Sequence, residues 1–97
     1  MQEPSILAYV LRAKNRIKVL SALKSGNKVS GQLEKETGMY KSHMSRTLQE
    51  LQDKKLVKCI NPNDRDFKFY VLTSKGKRVL SKATKIIEVI KKVKQKY

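Results

Sequence analysis

A mainly α fold carrying a small β-hairpin is predicted by three observations on this 97-residue sequence. Apolar residues recur at helical spacing through most of the chain. Two short periodic segments meet at Gly38, where a glycine can take a left-handed conformation and reverse the chain. Residues 56–72 switch to β-branched and aromatic types around a polar loop, the pattern of two paired strands.

The stretch from Ser30 to Lys58 organises the rest. Its first helix opens at Ser30, which offers an N-cap oxygen, with Gln32 and Glu34 in the first turn. Gly38 ends that helix. A second helix runs from about Lys41 to Lys54, where Met44, Leu48 and Leu51 recur at intervals of four and three and share an inward face. Ser42, Arg46, Gln49 and Asp53 fall on the opposite face, with Ser45 at its edge. A helix whose outward face carries hydroxyl, guanidinium and amide groups is equipped to meet base edges and phosphates. Residues 30–54 therefore read as a helix-turn-helix.

The remainder reads as one domain, 1–97, built around that motif. Residues 5–25 are helical: Glu3-Pro4-Ser5 is a start signal, and Ile6, Leu7, Val10 and Leu11 form an apolar stripe. Ile17, Leu20 and Leu23 continue the stripe, with Asn15 as a candidate cap, and the pattern leaves one bent helix or two open. Lys28-Val29 is a short extended link. Leu56 to Ile60 and Phe67 to Leu72 are strands around the turn-forming loop Asn61 to Asp66, and a hairpin directly after a helix-turn-helix is a wing. Thr73-Ser74 caps a long last helix, residues 74–97. Its residues Val79, Ala83, Ile86, Ile90, Val93 and Tyr97 trace a heptad seam, widened by Leu80, Ile87 and Val89. A stripe that wide on so long a helix is expected to be covered from two sides. Its own first helix, with Ile6, Leu7 and Val10, would take one side and a second copy the other.

Composition narrows the partners. There are 23 Lys and Arg against 8 Asp and Glu, a formal net charge of +15, with a sequence pI near 10.2. Such a domain meets polyanions, nucleic acid before an anionic membrane. One cysteine, Cys59, makes no internal disulfide and fits a reducing, cytoplasmic setting. The longest apolar run, Ile6 to Leu11, falls far short of the roughly 20 residues that span a bilayer. Enzyme readings fail: the single histidine, His43, has no nucleophile–base set to join, and the glycines form no phosphate-binding loop. Residues 61–72 lack the glycine and the terminal glutamate of a calcium loop. Neither cofactor nor metal is expected. The hairpin aromatics Phe67, Phe69 and Tyr70 are expected to pack against helices.

The order of these elements, together with RIKVLSALKSGNKVSGQLEKETGMYKSHMSRTLQELQDKKLV and FYVLTSKGKRVL, resembles the winged helix-turn-helix transcription regulators of the MarR and ArsR type. The small lysine-rich archaeal members are the most similar. FYVLTSKGKRVL carries their Y-x-L-T-x-x-G pattern. The resemblance covers about Asn15 to Leu80 and implies that the helix from Lys41 is a recognition helix entering the major groove. It also implies that the loop around Arg65 is a wing tip reaching the flanking minor groove or its phosphates. Metal-sensing ArsR members use cysteine pairs or His and acidic ligands that one Cys and one His do not supply. Asp64 and Asp66 flank Arg65 and are expected to weaken the wing's attraction.

The expectation is a sequence-specific, double-stranded DNA-binding transcription regulator acting as a homodimer on a pseudo-palindromic site. Architectural, charge-driven nucleic-acid binding is the alternative, and a protein-interaction module that has lost DNA binding is a third reading. The candidate contacts are Tyr40, Lys41, Ser42, His43, Ser45, Arg46 and Gln49 on the recognition helix, and Asn63, Arg65 and Lys68 on the wing. The candidate dimer residues are Ile6, Leu7, Val10, Val79, Ala83, Ile86, Ile87, Ile90, Val93 and Tyr97. No residue demands a small-molecule effector.

Overall fold

Between Leu11 and Lys14 the helical pattern breaks, so the N-terminal region is two helices and not one bent rod. The computed structural model describes residues 3–96, in the order α1 (Glu3–Leu11), α2 (Lys14–Ala22), a 3-10 turn (Leu23–Ser25) and β1 (Lys28–Val29). Then follow α3 (Ser30–Thr37), α4 (Lys41–Asp53), β2 (Val57–Cys59), β3 (Phe69–Leu72) and α5 (Ser74–Lys96). The fold is mainly helical with a small antiparallel sheet and a long C-terminal helix.

The apolar stripes converge on one core. Ile6 and Val10 of α1, Val19 and Leu20 of α2, Leu33 of α3 and Met44, Leu48 and Leu51 of α4 are buried together with Val79, Leu80 and Ala83 of α5. Full burial of each large aliphatic side chain contributes on the order of 1.5–3 kcal/mol.

Two helix starts differ from expectation. Ser30 lies inside α3, and the cap position is Val29, whose extended backbone makes no side-chain cap bond. The reason is that Val29 is already spent in β1, so a strand runs straight into the helix. Likewise Asn15 lies inside α2, and Ala13 occupies its uncapped start. Gly38 takes the left-handed conformation, φ 73 and ψ 13, and its N–H closes α3 on the Glu34 carbonyl at 2.9 Å.

The sheet has the order β1-β3-β2. Lys28 and Val29 pair with Tyr70 and Phe69, and Val57, Lys58 and Cys59 pair with Leu72, Val71 and Tyr70. The strands are shorter than expected. Leu56 and Ile60 lie outside β2, and Phe67 and Lys68 lie outside β3. The Asn61 side chain takes over hydrogen bonds that a longer ladder would have used: its Oδ1 accepts from the Phe69 N–H at 2.8 Å, and its Nδ2 donates to the Phe67 carbonyl at 2.6 Å.

One junction joins α4, the sheet and α5. The Leu56 N–H donates to the Leu51 carbonyl and the Lys55 N–H to the Gln52 carbonyl, both at 2.9 Å. This paired closure of α4 requires a left-handed residue, here Lys55 with φ 63. Thr73 then returns to the same place. Its N–H donates to the Leu56 carbonyl at 3.0 Å, and its hydroxyl donates to the Lys55 carbonyl at 2.7 Å. The same oxygen accepts the Gly76 N–H at 2.9 Å, capping α5. A Cβ on Gly76 would overlap the Leu56 carbonyl oxygen. The Thr73-x-x-Gly76 spacing is thus a cap and a close approach in one turn.

Two substitutions at this junction act in opposite directions. Gly76→Ala pushes a methyl into backbone and is expected to destabilise by about 1–3 kcal/mol or more. Lys55→Gly relieves a left-handed lysine, partly offset by unfolded-chain entropy, and is expected to stabilise by up to about 1 kcal/mol. Denaturant midpoints at one fixed protein concentration report both.

Candidate nucleic-acid interface

The outward face of α4 is fully presented. Tyr40, at the extended residue before the helix, is 80% exposed. Lys41, Ser42, His43, Ser45, Arg46 and Gln49 are all exposed, and Met44, Leu48 and Leu51 are buried beneath them. Thr47 is buried as well. Its place on the helix, between Met44 and Leu51, puts it on the inward face.

The roll of α4 about its axis is fixed by a second device that the sequence did not announce. The Arg16 guanidinium of α2 lies 3.5 Å from the Tyr9 ring centroid. It also donates to the Tyr9 carbonyl at 2.6 Å and approaches the Glu50 carboxylate at 3.5 Å. The Lys54 ammonium sits 5.1 Å from the same ring. Burial raises the Tyr9 hydroxyl pKa above 10.0, with the nearby Arg16 charge opposing. One aromatic between two cations therefore ties α1 and α2 to α4.

This arrangement has a direct effect at the surface. Glu50 stands at i+4 from Arg46 and would be its natural partner along the helix. Arg16 engages Glu50 instead, and among the described residues Arg46 has no hydrogen-bond or ion-pair partner. Gln49 is less free, since its amide donates to Asp53 at 3.0 Å. That contact is exposed and worth only a few tenths of a kcal/mol, so a base edge can displace it.

The wing loop is a built structure. Asp64 accepts the N–H groups of both Asp66 and Phe67 at 2.9 Å, which holds its carboxyl below the usual aspartate value of 3.8. These bonds keep Asp64 anionic close to Arg65, which itself makes no ion pair among the described residues, so the carboxylate still offsets the charge of the wing tip. Asn63, Arg65 and Lys68 are exposed around it. The expected packing of the hairpin aromatics holds for Tyr70, which rests on the core, but not for Phe69 and Phe67, which are 40% and 64% exposed. Phe69 pairs with Val29 across the sheet, and its carbonyl accepts the Ile60 N–H at 2.9 Å.

The candidate dimer residues divide. Ile6, Val10, Val79 and Ala83 are fully buried inside their own subunit, so they are corrected to core residues; the first half of the heptad seam is consumed by α1 and α2. Leu7 is half-buried against the same core. Ile86 and Ile87 are half-buried, and Ile90 and Val93 are 48% and 52% exposed. Tyr97 lies outside the described residues. Leu11, Ile17, Ile86, Ile87 and Ile90, with the stems of Lys14 and Lys18, line an open apolar groove of about 460 Å³ between α5 and the first two helices.

Among the described residues no cluster of three His, Cys, Asp or Glu side chains could hold a metal ion. No helix there is long and apolar enough to cross a membrane.

Residues 5–95 match the family model described as the HVO_A0261 N-terminal domain. No curated protein matches in sequence. Among solved structures, the chain is similar to a MarR-family transcriptional regulator from Enterococcus faecalis V583, with TM-score 0.79 and 19% identity over 95% of this chain and 86% of that one. It is similar to the PcaV transcriptional regulator of Streptomyces coelicolor, with TM-score 0.76 and 20% identity over 84% of this chain, spanning 59% of that protein. A MarR-family regulator from Silicibacter pomeroyi DSS is 30% identical, with TM-score 0.73, over 89% of this chain and 58% of its own length. The fold is that of the MarR-family winged-helix regulators.

The Asp64 contacts predict a pH response. A carboxylate held below its ordinary pKa supports the loop above that value and loses its effect as pH falls through the depressed one. The Asp66 and Phe67 amide resonances are expected to titrate together with a midpoint below 3.8, and Asp64→Ala should abolish that step and speed exchange of both amides.

Proposed function

We propose, on the premise that the chain belongs to the HVO_A0261 N-terminal domain family, that it is a homodimeric, sequence-specific regulator of transcription that binds double-stranded DNA. The observation that carries this reading is Arg46, without a partner among the described residues, at the centre of an exposed polar helix face. Arg46 stands between Ser42 and Gln49, free to hold guanine O6 and N7 with two parallel hydrogen bonds. The recognition helix α4 would enter the major groove, with Tyr40, Lys41 and His43 towards the phosphates. Arg65, at the wing tip with Asn63 and Lys68, suits a positioning contact on the flanking backbone.

The dimer reading rests on α5. Its 23 residues make a helix about 35 Å long, and the second half exposes Val89, Ile90 and Val93 beside the apolar groove. A second copy related by a two-fold axis would cover both, and two recognition helices would then meet a pseudo-palindromic site. Architectural binding without base reading differs in one measurable respect, the ratio of affinities for selected and random duplex, which for specific binders is about 10³ to 10⁷.

Two experiments test these assignments. The double substitution Ile86→Lys and Ile90→Lys puts charges into the seam and is expected to release folded monomers in sedimentation, because neither residue belongs to the fully buried core. A wild-type monomer at tens of micromolar, or a mutant that remains dimeric, refutes the assembly. For recognition, duplexes selected from a random pool are compared with scrambled ones. Arg46→Ala should cost ~1–3 kcal/mol on the selected site and flatten preference at one position per half-site. Arg65→Ala should weaken both duplexes alike and reduce the salt slope by about one. If only Arg65→Ala alters the ratio of affinities, the two roles are reversed.

A further inference from the structure

Two acids stand on α4, Glu50 and Asp53. Asp53 accepts from Gln49 at 3.0 Å. Glu50 has a cation one turn away on either side, Arg46 at i−4 and Lys54 at i+4, each at the spacing of a helical ion pair. Neither takes it. The pair that forms is with Arg16 of α2 at 3.5 Å, while Lys54 lies over the Tyr9 ring and Arg46 has no partner among the described residues. Tyr9 completes the grip on Arg16: the guanidinium donates to its carbonyl at 2.6 Å and lies 3.5 Å from its ring centroid. Those two contacts fix the direction from which Arg16 meets Glu50.

Stability alone is a weak reason for such a residue. The Arg16 side chain is 15% exposed, and its Nε is buried with no hydrogen-bond partner among the described residues. A buried donor left unsatisfied costs stability, and apolar side chains often replace buried ion pairs without loss. What an apolar residue at position 16 cannot do is hold Glu50. That carboxylate is 36% exposed, so losing Arg16 would not strand it in the core. It would remain at the surface with Arg46 one turn away.

We propose that Arg16 is a positioning residue for base recognition: it holds Glu50 away from Arg46, so that Arg46 meets a base edge without first breaking a pair within its own helix. The proposal rests on the DNA-binding reading above and adds to it a determinant of specificity on α2, outside the helix-turn-helix.

The test is a double-mutant cycle on the full chain. Arg16→Met releases Glu50, Glu50→Gln removes the carboxylate, and the double variant does both while keeping the net charge of +15. Each protein is titrated with a selected duplex and with one altered at the position whose preference Arg46→Ala flattens. Arg16→Met should lower the ratio of these affinities about twofold per half-site, and about fourfold for a dimer on two half-sites, the strength of a helical ion pair that must open first. Adding Glu50→Gln should restore the wild-type ratio, which it would not do if Arg16 only supported the fold. Without DNA, the Arg46 Nε–H should exchange with water more slowly in Arg16→Met than in wild type, and Glu50→Gln should reverse the slowing. Arg16→Gln, which keeps an amide for the Tyr9 carbonyl, gives the same comparison if Arg16→Met does not fold. The proposal is overturned if loss of Arg16 leaves the ratio unchanged, the result if Glu50 turns to Lys54, or if Glu50→Gln fails to restore it. If wild-type protein prefers no duplex, the DNA-binding reading fails and the proposal with it. The Arg46 exchange rates tell that failure from a wrong placement of Glu50.

Discussion

Everything that a duplex would touch hangs from the meeting of Thr73 and Gly76 with the backbone of Lys55 and Leu56. Within two residues the chain closes α4, and Thr73 at the end of the sheet comes back to donate to the carbonyls of Lys55 and Leu56. Because one threonine oxygen both donates to α4's exit and caps α5, the relative placement of those two helices is set by hydrogen-bond lengths and not by loose side-chain packing. The wing is the excursion between the two ends of this clasp. Its reach is therefore measured from the same point as the helix it accompanies.

The second constraint works from the other side. Buried Met44, Leu48 and Leu51 decide which face of α4 is inward, but an apolar face alone tolerates some rotation. The Tyr9–Arg16–Glu50 contacts remove that freedom and at the same time take Glu50 away from Arg46. Structural and functional charges are thus sorted by geometry. Lys28, engaged with Glu36 at 2.6 Å, is likewise spent on the fold. Counting positive residues overstates what the surface offers to a polyanion, and the position of each matters more than the sum.

Periodicity made the helices legible, and glycine at position 38 made the turn legible, because both follow from local backbone geometry. Thr73 as a cap was legible for the same reason. Ser30 and Asn15 were misread as caps because an adjacent strand and an unmarked break, both set by tertiary packing, decided where the helices begin. The heptad seam on α5 was a true pattern with two owners: Val79 and Ala83 face their own core, and Ile90 and Val93 face outward. A period of 3.5 says that a stripe is apolar and is silent on what covers it. Phe67 and Phe69 were expected to pack inward because aromatics usually do. Their exposure depends on loop hydrogen bonds from Asn61 and Asp64 that span several residues and leave no periodic trace.

Arg16 also limits which substitution its position can accept. At position 16 one flat cation stacks on a ring, reaches a carbonyl and faces a carboxylate at once. A lysine ammonium is a compact point charge and satisfies only part of that set. This position is constrained by molecular shape, and exchange there would loosen the roll of α4 while leaving the net charge untouched.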